Sequence, residues 1–176
     1  FPSGTDSSSS LYGLWSNIKS GEKNTFDVFG YYEINRKKSD GTNNDISRMT
    51  LGLNHRGNYD LFSTVFEGAY QFGKLSSTDV AAYLLSLQVN YGSKVFKAGL
   101  GADILSGNSA TDFSNNNTFA TPFATNHKFY GYMDYLSWQN LHDVRAIFQM
   151  KPLSQLTFAV EGHLFWLADT ADNLYN

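Results

Sequence analysis

The sequence contains no cysteine among its 176 residues, so disulfide frameworks and thiolate metal sites are excluded. Charge is scarce: Asp, Glu, Lys and Arg make up 16% of the chain, where a soluble domain usually carries about 25%. The net charge is −3 and no basic patch stands out, so no nucleic-acid partner is expected. No apolar run approaches the length of a spanning helix, and mean hydropathy is only −0.34. That absence does not exclude crossing by strands, whose alternation dilutes any hydropathy average. Catalytic signatures are missing too. There is no Gly-x-Ser-x-Gly, no His-Glu-x-x-His and no phosphate-cradling Gly loop, and no carboxylate pair stands out by spacing. Neither an enzyme nor a cofactor is expected.

What the chain does have is a two-residue beat rich in aromatics, with 14 Phe and 11 Tyr. In Phe62–Phe72 one set is Phe62, Thr64, Phe66, Gly68, Tyr70 and Phe72, and the other is Ser63, Val65, Glu67, Ala69 and Gln71. Successive side chains of a strand point to opposite faces, so one face is apolar and the other small or polar. The beat recurs over 11–19, 25–36, 46–56, 80–91, 95–105, 143–151 and 157–166. Segments of about ten residues, separated by turn residues, are the signature of a transmembrane β-barrel.

The expected connections are turns at 20–23, 57–60, 92–94 and 152–155, and loops at 37–45 and 74–79. Bacterial barrels place short turns on the periplasmic side and long loops outside. Keeping that alternation makes residues 106–141 one long outer loop that folds inward to narrow the lumen, and the chain then has about eight strands. The alternative is a ninth strand over His127–Trp138. The chain opens at Phe1 without Met and ends at Asn176 in a polar stretch, so a single barrel segment from a longer chain is expected.

The segment Thr118-Phe119 … Asn126-His127-Lys128-Phe129-Tyr130-Gly131-Tyr132-Met133-Asp134-Tyr135 resembles the alginate-export family of Gram-negative outer-membrane barrels. Leu11–Trp15, Asp40–Asp45, Ala69–Gly73, Gly101–Gly107 and Phe165–Asp169 with Asp172–Tyr175 are similar as well. The resemblance implies a large monomeric barrel in the outer membrane, of which this chain supplies about half the strands. It implies contact with lipid and lipopolysaccharide, and passage of a hydrophilic or anionic solute such as a polysaccharide. Missing strands or a partner chain then complete the pore.

On this reading the lumen face carries Arg48, Arg56, Lys97, Arg145 and Lys151 together with Glu67, Asp103, Glu161 and His163. Asp27, Glu33 and Asp143 lie on the same face. The mixed signs favour cross-strand charge ladders over a dedicated polyanion track. His127, Lys128, Tyr130, Tyr132 and Asp134 are either a constriction or a structural loop. His163 and Glu161 lack a third metal ligand, and Asp40–Asp45 lacks the spacing of a calcium loop, so no metal is expected. Two other classes stay open. One is a soluble β-barrel or sandwich that binds an apolar ligand, with the Phe66/Phe72 face inward. The other is a structural envelope barrel without an open pore.

Overall fold

The computed structural model describes residues 9–36, 45–109, 111, 114–121 and 135–175. The long strands are β1 (Ser9–Ser20), β2 (Asn24–Asn35), β3 (Ile46–Tyr59), β4 (Phe62–Leu75), β5 (Thr78–Gly92), β6 (Phe96–Leu105), β8 (Leu141–Leu153) and β9 (Leu156–Leu167). A two-residue strand, β7 (Asn115–Asn116), pairs parallel with Asp79 and Val80 of β5. The long strands run β1-β2-β3-β4-β5-β6-β8-β9 in space, each antiparallel to the next. The sheet is not closed, since β1 and β9 do not pair. β6 pairs directly with β8, which leaves no place between them for another strand. Residues 135–138 carry no strand, and 122–134 lie outside the described residues.

Several boundaries differ from the sequence expectation. The loop expected at 74–79 is only the turn Ser76-Ser77, because Lys74 and Asp79 face each other in register and form an ion pair of 2.5 Å. Polar residues there extend the ladder rather than end it. For the same reason the turn expected at 57–60 shrinks to Asp60-Leu61: β3 continues through Tyr59, and Asp60 takes up a left-handed backbone, which Asp tolerates. The Pro152 turn also moves, to Ser154-Gln155. Pro152, which has no N–H to donate, sits instead inside a register shift between Met150 and Leu153.

The period-2 pattern sorts the side chains as expected. On one face Leu100, Val160 and Leu164 are 68%, 66% and 70% exposed. On the other, Gln71 and Asp143 are 0% and 1% exposed. This inverts a soluble barrel, in which the greasy face would be the dry one. The small buried apolar cluster lies on the polar face. Ala69, Ala82, Leu84, Leu105 and Leu141 of the sheet meet Phe119 and Trp138 of the β6–β8 connection there.

Candidate functional site

Strand pairing turns residues far apart in sequence into rows that run across the sheet. One row on the polar face reads Asn17, Asp27, Asn54, Glu67, Ser86, Asp103, Asp143, Phe165. It gathers four carboxylates from four strands. The next row reads Lys19, Thr25, Arg56, Val65, Gln88, Gly101, Arg145, His163. It holds Lys19, Arg56, Arg145 and His163. An acidic row and a basic row therefore lie side by side.

The basic row reaches diagonally into the acidic one. Arg145 Nη1 donates to Asp103 Oδ2 at 2.8 Å and to Asp143 Oδ2 at 2.9 Å. Its Nη2 lies 3.4 Å from Gln88 Oε1. Asp103 also accepts from Ser86 Oγ at 2.6 Å and from Trp138 Nε1 at 3.1 Å. His163 Nδ1 lies 3.1 Å from Asp143, and its Nε2 lies 3.7 Å from Glu161. Gly101 makes this arrangement possible: a Cβ there would fall 2.7 Å from Arg145 Nε. At the other side of the sheet Arg56 pairs with Asp27 and donates to Asn54 Oδ1 at 2.9 Å. Asn17 donates to Asp27 at 2.6 Å, and Asn54 lies 3.4 Å from Glu67. Arg48 sits nearer the loop end and pairs with Glu33 at 2.6 Å. Its Nε is buried without a partner among the described residues. Buried charges need such partners, since an unpaired one is costly to desolvate.

The described parts of the β6–β8 connection, residues 106–109, 114–121 and 135–140, lie over this face as a strap. Gln71 holds it by two hydrogen bonds to Ala120, donating to its carbonyl at 2.7 Å and accepting from its N–H at 3.0 Å. Phe119 and Trp138 are buried against the wall. Asp172, in the segment after β9, ties the strap from the other side. It accepts from the Asn108 N–H at 2.8 Å and from Thr118 Oγ1 at 2.5 Å, and also from the Asn173 N–H and the Tyr175 hydroxyl. Partial burial would raise its pKa, but these donors outweigh burial and hold the carboxyl below its ordinary value. Burial and the bond to Asp172 push the Tyr175 phenol up. Asn140, fully buried with a left-handed backbone, bridges to Asp169 and Asn173. Gly107 lets it approach, because a Cβ there would lie 1.8 Å from Asn140 Oδ1.

The structure thus places Arg48, Arg56, Glu67, Lys97, Asp103, Arg145, Glu161 and His163 on one face and brings Asp103, Arg145, Glu161 and His163 into one network. Lys97 and Lys151 are exposed and lie apart from that network, around a depression of about 320 Å³ beside the Ser93–Val95 turn. His127, Lys128, Tyr130, Tyr132 and Asp134 lie outside the described residues, as does most of Asp40–Asp45. No metal-holding cluster occurs among the described residues. Sequence reasoning missed Gln71, Trp138, Asn140 and Asp172 as strap anchors. Their partners are up to 64 positions away, and of these four only Gln71 and Asp172 fall inside segments that carry the family resemblance.

A family model described as alginate export matches residues 3–176. No curated protein matches the chain.

Proposed function

The chain belongs to the alginate export family, and from that premise we propose that it forms an arc of a passive channel in the outer membrane of a Gram-negative bacterium. The observation that carries this is the inverted sheet: exposed apolar side chains on one face, partnered charges on the other. The apolar face meets lipid and the headgroups of lipopolysaccharide. Aromatic pairs mark its two limits. Phe62 faces Tyr91 near the short turns, and Tyr70 faces Tyr83 eight residues further along β4. That separation is about 26 Å along the strand at roughly 3.3 Å per residue. With strands tilted by about 40°, it gives about 20 Å across the bilayer, near the height of an outer-membrane apolar band.

The polar face lines water, and a hydrophilic solute diffuses along it without chemistry. The strap over β4–β8 narrows the passage. Alginate-type polysaccharide export is the role the family's description attaches to such channels, and we carry it to this chain as the candidate cargo. The open edges of β1 and β9 support completion of the wall by further strands or a partner chain. Hydrocarbon does not tolerate unpaired backbone groups along twelve-residue edges.

The test is reconstitution of the full-length protein. Extraction only in detergent, followed by discrete conductance steps in planar bilayers, is expected. Solubility in plain buffer would instead support the apolar-ligand barrel, and membrane insertion without conductance would support a closed structural barrel.

A further inference from the structure

Outside the ion-pair network of the wall, the charges of the described residues are sorted by end. In and beside the short turns, among the described residues, stand Lys19, Lys23, Lys94, Lys97 and Lys151 against Glu22 and Asp60. Lys23 and Asp60 pair at 3.6 Å. Lys94, Lys97 and Lys151 have no carboxylate partner among the described residues, and they share the depression with Ser93 and Gln149. A second depression, lined by Asn58, Asp60, Ser63 and Asn90, adjoins it at Lys94 and Lys97, so two lysines there face one carboxylate, itself paired with Lys23. Among the described residues the opposite end carries Asp45, Asp79, Asp169 and Asp172 against Arg36 and Lys74, with Lys74 spent on Asp79. Between the ends the three arginines are committed to wall carboxylates. The wall arginines are counter-ions, in keeping with the expected charge ladders, and among the described residues the exposed lysines without a carboxylate partner lie beside the short turns.

We infer that this wall is electrically polarised along the pore, so that anions load from the short-turn mouth and ionic current rectifies. The inference rests on the channel reading above. Fixed positive charge at a mouth bounded by low-dielectric walls concentrates counter-anions there, and excess negative charge at the other mouth concentrates cations. Anion and cation supply then reinforce each other at one polarity of voltage and deplete each other at the opposite one.

The experiment is single-channel recording of the full-length protein, which avoids averaging over two insertion orientations. In 0.1 M KCl the current at one polarity should exceed that at the other by roughly twofold, and the asymmetry should vanish in 1 M KCl as screening shortens to about 3 Å. The triple variant Lys94→Gln, Lys97→Gln, Lys151→Gln, altered only at exposed rim positions, should lose most of the rectification while keeping its conductance steps. A linear current–voltage curve in 0.1 M KCl, or rectification unchanged in the triple variant, overturns the inference and leaves the channel standing. Absence of any conductance overturns both.

Discussion

The strap-covered part of the polar face and the bare part beside the short turns are built from the same alternating strands, yet they behave as different materials. Under the strap, Gln71, Asp103, Asn140 and Asp143 are almost completely buried, and each has named hydrogen-bond partners. Beside the short turns, Lys94, Lys97 and Lys151 are exposed. On the proposed channel reading a charge on this face can therefore serve the wall or the solute, and burial with pairing tells the two apart. Arg145 belongs to the first kind and Lys97 to the second, although both read from sequence as lumen cations.

The largest break in this contrast is expected at Arg145. Arg145→Met leaves Asp103 and Asp143 buried side by side without their shared cation, and should cost about 3–5 kcal/mol of stability. Urea unfolding of the full-length protein in micelles would measure it. Adding Asp103→Asn and Asp143→Asn should recover much of the loss; no recovery would mean that packing, not charge, holds this region.

A middle-sized effect is expected at Gln71. Gln71→Ala strips both hydrogen bonds from Ala120 and should weaken the attachment of the strap by about 1–3 kcal/mol. Faster proteolytic cutting within 114–121, with global unfolding little changed, is the expected result. Equal loss of global stability would show that the strap is part of the fold rather than laid over it.

The smallest effect, and the one that sharpens the contrast, concerns Asp172. Its carboxyl is held below the ordinary value by its donors, so its contribution is complete above the ordinary Asp pKa of about 3.9 and fades as pH falls through the lower folded value. Amide exchange at Asn108 and Asn173 should thus be slower in the wild type than in Asp172→Asn above about pH 4, with the gap closing at lower pH. A gap that persists unchanged into strong acid would remove the carboxylate from the latch.

The faces of the strands were legible because alternation is local: Phe62–Phe72 states its two sides without reference to anything else. Strand ends were less so, since Lys74 and Asp79 look like loop residues until they are seen as partners. Charge ladders on the polar face were expected from the mixed signs, but which residues share a row was not legible. Asp27, Glu67, Asp103 and Asp143 share a line only through the chosen register, and a slip of one residue in any strand would send that carboxylate to the other face. The strap's inward course was anticipated from its length and aromatic content. Its anchors were not, because Gln71–Ala120 and Asp172–Thr118 are single contacts across long loops, with no spacing to announce them.

One consequence of the rows concerns height rather than charge. Barrel strands lean at about 35–45° to the axis, so a line drawn at right angles to them cannot stay level. From β2 to β8, five strand spacings of about 4.8 Å, the carboxylate line climbs by roughly 15 Å. In the proposed channel a traveller would meet Asp27, Glu67, Asp103 and Asp143 as steps on a spiral stair, one storey after another, instead of as a single ring.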